Sequence, residues 1–145
     1  MARMQDLIDA WLRGEREPPP IAKLVGFRLI ECRDGFARLE MNTGQQHYNP
    51  MGTLHGGILC DIADSAMGLA FASTLLEDES FTTLELHIHY FRPVWESHLT
   101  AVGKTVKRGQ RIGDTECEIT DERGRLIAKA SSTCMILRGD EAMGR

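Results

Sequence analysis

Between Leu54 and Leu76 the chain carries an apolar stretch in which Ile58, Ile62, Ala66, Leu69, Ala70 and Leu76 recur at helical spacing, with the small residues Ala63, Gly68 and Ala72 between them. A helix this apolar on all sides cannot lie on a surface, so another layer has to wrap it. The remaining chain offers strands for that purpose. Gly26 to Cys32 and Gly35 to Met41 are strand-like and meet at Arg33-Asp34-Gly35, a tight-hairpin signal. After the helix the period changes to two. Thr82 to Phe91 sets Leu84, Leu86, Ile88 and Tyr90 on one side and Glu85, His87, His89 and Phe91 on the other. His98 to Lys107, Arg111 to Thr120 and Arg125 to Leu137 continue as strands, with turns at Gly109-Gln110 and Asp121 to Gly124. The order predicts a single-domain α+β fold, an antiparallel sheet wrapped around one long central helix.

Upstream, Met4, Leu7, Ile8, Trp11 and Leu12 predict a short amphipathic helix over Gln5 to Arg13, ended by Gly14 and followed by Pro18-Pro19-Pro20. This reads as a lid or packing element, with packing the simpler account. The expected division is an N-terminal helix and Pro-rich linker over residues 1–25, a main domain over 26–138 and a frayed tail over 139–145.

Composition narrows the function. The 145 residues include 17 basic and 21 acidic ones, net −4, which leaves no footprint for nucleic acid and no polybasic membrane patch. There is no long uninterrupted apolar run and no signal-peptide pattern, so a cytoplasmic protein is expected. Cys32, Cys60, Cys117 and Cys134 form no CxxC pair and are expected to be reduced and buried. His87 and His89 share a strand face but have no evident third ligand, so no metal site is expected. Cys60 has no suitably placed base, and the GxSxG elbow, dinucleotide fingerprint and P-loop are all missing.

The helix start breaks local rules. Gly56 and Gly57 each cost about 1 kcal/mol relative to Ala in a helix, which implies close approach to backbone amides there. Those first N–H groups lack internal partners and carry the positive end of the helix dipole, so they suit an oxygen that is becoming negative. Asp64 is the second half of such a site, set among Ile62, Ala63, Ala66 and Met67, while Asp61 reads as a partner for the helix N-terminus. At 1.5 Å per residue Asp64 lies about 12 Å along the axis from Gly56, too far for both to touch one carbonyl. If both serve one reaction, they come from two antiparallel copies of the helix, which predicts a homodimer with two equivalent sites.

The run Asn49-Pro50-Met51-Gly52-Thr53-Leu54-His55-Gly56-Gly57, followed by Asp61-Ile62-Ala63-Asp64-Ser65-Ala66 and by Leu84-Glu85-Leu86-His87-Ile88-His89-Tyr90-Phe91-Arg92-Pro93, resembles the hotdog-fold acyl-CoA thioesterases of the phenylacetate-pathway type. The resemblance spans about Gly26 to Leu137. It implies a hotdog fold, subunits paired edge to edge, and hydrolysis of a small aromatic or short- to medium-chain acyl-CoA without a cofactor. By the same resemblance Gly56 N–H polarises the thioester carbonyl with help from Asn49, the partner chain's Asp64 acts as nucleophile or general base, His55 sits near the leaving sulfur, and Thr83 helps to hold the water. Gly57 and Arg92 join the substrate-binding set. Lys104, Lys107, Arg108 and Arg111, around the turn at Gly109, are either a solvated hairpin tip or a site for the coenzyme A phosphates. Dimers could pair into tetramers. The rival readings are a non-catalytic acyl-CoA-binding protein on the same fold and an acyl-thioester hydratase or dehydratase.

Overall fold

The computed structural model describes residues 3–144. Two helices, α1 (Met4–Leu12) and α2 (Pro20–Val25), precede the sheet. The Pro-rich run is therefore more than a linker. Pro20 fills the first position of α2, where a missing N–H costs nothing, and Gly26 ends the helix at φ 98°. Next come β1 (Phe27–Arg33), β2 (Phe36–Asn42), α3 (Gly56–Ala72), β3 (Glu79–Tyr90), β4 (His98–Arg108), β5 (Ile112–Thr120) and β6 (Leu126–Arg138). The strands form one antiparallel sheet in the order β1-β2-β4-β5-β6-β3, so β1 and β3 are its edges.

Helix α3 lies against one face of this sheet, as expected of a hotdog fold. Its Ala63, Ala66, Met67 and Ala70 share one buried cluster with Leu39, Met41, Leu99 and Ala101. Small residues allow a very close approach, for a Cβ placed on Gly103 would stand 2.4 Å from the carbonyl oxygen of Ala66. Helix and sheet are thus in backbone contact, which seats α3 firmly.

Four features depart from expectation. The helix is shorter than 54–76. At its start Leu54 is still extended, bridged to Tyr48 and donating its N–H to Val94 O at 2.7 Å. At its end the Ser73 and Thr74 hydroxyls donate to Ala70 O and Phe71 O, both at 2.7 Å, a local alternative to further helix. In β3 the strict alternation fails at Leu84, where the pairing jumps from Thr83↔Cys134 to Glu85↔Thr133. Leu84 is the extra residue of a β-bulge and is 54% exposed, so it leaves the face it was expected to share with Leu86, Ile88 and Tyr90, and Phe81 before it packs on the core with Leu86 and Ile88 after it. Finally, Gly139–Ala142 forms a 3₁₀ turn with Ala142 buried, so that part of the tail is docked; Arg145 falls outside the described residues.

The cysteines are all free and all but Cys60 are buried. Among the described residues no helix is long and apolar enough to cross a membrane. The close contact at Gly103 predicts that Gly103→Ala lowers stability by about 2 kcal/mol through overpacking, a fall of roughly 6 °C in Tm by differential scanning calorimetry. An unchanged Tm would show that the helix can retreat without loss.

Candidate active site

The start of α3 is held from three directions. The preceding loop is closed by Asn49, whose Oδ1 accepts N–H groups from Met51 at 2.9 Å and Thr53 at 3.1 Å, while its Nδ2 donates to Thr53 Oγ1 at 2.8 Å. His55 N–H donates to His47 O at 2.9 Å, and the buried His47 ring bonds Val25 O at 2.7 Å. Asn49 therefore acts on this loop instead of reaching outward. His55 caps the helix, with Nδ1 accepting from Gly57 N–H at 2.9 Å, so a neutral ring carries its proton on the other nitrogen. A Cβ on Gly57 would stand 2.8 Å from that Nδ1, so glycine is what allows the cap.

This arrangement leaves the Gly56 N–H, first of the helix, without an acceptor among the described residues. The sequence reading missed the residue beside it, Tyr90. A Cβ on Gly56 would lie 2.9 Å from the Tyr90 ring, and the Tyr90 hydroxyl donates to Gly56 O at 3.0 Å and lies 3.2 Å from Cys60 Sγ. Burial pushes the Tyr90 hydroxyl up to about 12, so it stays a donor. Alternation puts Tyr90 on one face with Leu86 and Ile88, but its contact with Gly56 depends on how β3 sits against α3, which spacing within the strand does not give. A pocket of about 380 Å³ opens here, lined by Gly56, Leu59, Tyr90 and Arg92 among others.

Asp64 and Thr83 meet elsewhere. They line two adjoining pockets, one of about 300 Å³ that also includes Asp61 and Leu84, and one of about 630 Å³ roofed by α1 and the Pro18–Ile21 segment. The bulge at Leu84 explains how Thr83 arrives, since it lets Thr83 and Leu86 both face the helix side of the sheet. Asp61, read from the sequence as a partner for the helix N-terminus, lies beyond the first helical turn and lines the smaller pocket with Asp64. Burial, and then the neighbouring Asp61 carboxylate, raise the Asp64 carboxyl above the ordinary aspartate value; burial raises Asp61 too, with His55 opposing. Helix α1 is more than packing, because Met4, Leu7 and Trp11 line the larger cavity.

The pockets at Gly56 and at Asp64 share no lining residue. Both open along β3, a twelve-residue strand with no neighbour on its outer side among the described residues. The basic cluster is apart from both. Gly113, paired with Arg108, sits against Phe71, about 22 Å along α3 from Gly56 at 1.5 Å per residue. Arg108 is committed there, bonded with Arg138 to the buried Glu79, so it is removed from the phosphate-binding set. Lys104 and Lys107 are paired in register with Glu116 and Asp114, and Arg111 lies beyond them at the same hairpin tip, so none of the three meets Gly56 or Asp64 within the chain. His87 lies 3.5 Å from Glu85 and His89 stacks edge-on with Phe91; no group of three His, Cys, Asp or Glu able to hold a metal occurs among the described residues.

The raised Asp64 carboxyl has a stability consequence of definite sign. Its folded pKa exceeds its unfolded one, so the fold gains stability as pH falls into the interval between them and the ionised carboxylate is a net cost at neutral pH. Asp64→Asn should therefore raise Tm at pH 7, with the gain shrinking at pH 4, measured by thermal unfolding at both. A lower Tm at pH 7 would mean that the carboxylate is held by a partner instead.

Residues 51–128 match the family described as Thioesterase superfamily. A medium/long-chain acyl-CoA thioesterase of Salmonella typhimurium is 26% identical over 132 residues, covering 81% of this chain and 85% of its own. The phenylacetic acid degradation protein PaaI of Thermus thermophilus, in a mutant structure, is 26% identical with a TM-score of 0.75, covering 81% of this chain and 98% of that one. A hypothetical thioesterase of Streptococcus pneumoniae solved with coenzyme A is 26% identical with a TM-score of 0.71, covering 77% and 86%.

Proposed function

The chain belongs to the thioesterase superfamily, and on that premise we propose that it hydrolyses an acyl-CoA to free acid and coenzyme A at sites shared by two subunits. One observation carries the reading: the candidate oxyanion donor and the candidate acid lie in separate pockets of one chain, both open along the bare edge of β3. A long unpaired edge strand is a liability that a second copy removes. Two β3 strands paired antiparallel about a two-fold near His87, midway between Thr83 and Phe91, bring the Asp64 pocket of one subunit to the partner subunit's Gly56.

In this reading the thioester carbonyl oxygen accepts the Gly56 N–H, with the helix dipole behind it, and negative charge develops there as the carbon becomes tetrahedral. Asp64 of the other subunit supplies the oxygen nucleophile or removes a proton from the attacking water, which Thr83 helps to hold. A carboxyl raised by its surroundings is a stronger base than an ordinary aspartate. Tyr90 and the His55 cap hold the donor amide in place, and Asn49 holds the loop behind them. The thiolate leaves readily, so the chemistry calls for no cofactor. Arg92, in the Gly56 pocket, is the cation best placed for the coenzyme A phosphates.

Asp64→Asn should leave the dimer intact by size-exclusion chromatography with light scattering while kcat, followed by thiol release from acyl-CoA, falls at least a thousandfold. Turnover within tenfold of wild type would remove Asp64 from the chemistry. Wild-type protein that binds acyl-CoA but releases no thiol would instead make the chain a binding module. In active protein the acid limb of the kcat profile should lie above the ordinary aspartate pKa and disappear in Asp64→Asn; an acid limb that persists in the variant would assign it to another group.

A further inference from the structure

The 630 Å³ cavity extends away from Asp64 along α3. Asp64, Gly68 and Ala72 line it at intervals of four residues, so they lie on one helix face. After the acid that face carries a hydrogen and a methyl group, which leaves a groove running towards the helix C-terminus. Phe81 floors the groove, while Leu7 and Trp11 from α1 face it from above. Its far end lies by Met4, which also packs on the Phe71–Leu75 cluster.

The dimensions select an occupant. From Asp64 to Ala72 the helix rises about 12 Å. An extended hydrocarbon chain with bonds of about 1.5 Å advances roughly 1.3 Å per carbon, so the groove takes about nine carbons. A phenylacetyl group would fill less than half of that length. We propose that this chamber is the acyl site for straight-chain medium-length substrates, octanoyl- to decanoyl-CoA, with Gly68 and Ala72 as the residues that set chain length and α1 as the wall that keeps the acyl chain from water. The proposal rests on the thioesterase reading for its carbonyl position, but its length scale comes from α3 and the cavity alone.

Thiol release from a series of butanoyl- to palmitoyl-CoA, with phenylacetyl-CoA alongside, tests it. The expected kcat/KM climbs up to about fourfold per carbon, the ratio that burying one methylene converts to, and turns over at eight to ten carbons with phenylacetyl-CoA below octanoyl-CoA. A flat profile or a phenylacetyl optimum would overturn the chamber assignment while leaving the thioesterase reading intact. A side chain added at Gly68 should cut the decanoyl-to-butanoyl ratio at least tenfold in Gly68→Leu and measurably in Gly68→Ala. The alanine variant guards against misfolding, since its Cβ would meet the Phe81 ring at 3.4 Å, an ordinary contact, and alanine favours helix. An unchanged ratio in folded protein refutes the length role. Binding is read separately from turnover. The two tryptophans are Trp11 and Trp95, so in Trp95→Phe the fluorescence of Trp11 should respond saturably to decanoic acid and not to butanoic acid. Equal responses, or none, contradict the proposal even if no thioester is cleaved.

Discussion

A helix is a rigid ruler, and this one holds two chemical groups a set distance apart. Gly56 and Asp64 are separated by about 12 Å of α3, and the backbone contact at Gly103 prevents the helix from bending or sliding to bring them closer. The unpaired edge of β3 beside both pockets follows the same logic. In the proposed dimer each chain would carry the complement of what the other lacks, along the edge where a second copy would add its own strand. Sharing a site between subunits is, on this view, the direct result of putting donor and acid on one straight element.

The surroundings sharpen each half. At the helix start a histidine cap uses the second amide and leaves the first open, and Tyr90 packs so tightly on Gly56 that no larger residue fits without displacing it. In the other half, the bulge at Leu84 turns Thr83 towards the helix beside Asp64. The apolar wall and Asp61 raise the acid's pKa at a cost in stability, the familiar trade at working sites. The same wall continues as the groove past Gly68, the chamber proposed for the acyl chain.

Much of the fold was legible because its signals are periodic. The long apolar helix and the alternating strands follow from side-chain spacing, and their ends fell within a few residues of those observed. The separation of Gly56 from Asp64 could be read from helical rise alone. What escaped was whatever depends on interruptions of periodicity. One extra residue at Leu84 brings Thr83 onto the same face as Leu86, against strict alternation, while the approach of Tyr90 to Gly56 depends on how β3 sits against α3, which spacing within one strand does not set. Pro20 as a helix start was hidden in a run of prolines that reads as a breaker. Charge was the poorest guide of all. Arg108 belongs to a buried Glu79 cluster that only the folding of β3, β4 and β6 assembles, and Asn49, polar and beside the glycines, is occupied in shaping its own loop.

The most direct measurement concerns whether the two halves come from different chains. Two inactive variants, Asp64→Asn and Gly56→Ala, would be unfolded together, refolded in equal amounts and assayed for thiol release. If the site is shared, half the dimers are mixed and each contains one site with both groups intact, so activity returns to about a quarter of wild type. If donor and acid act within one chain, every site in the mixture keeps a lesion, and the refolded sample stays as inactive as its parents.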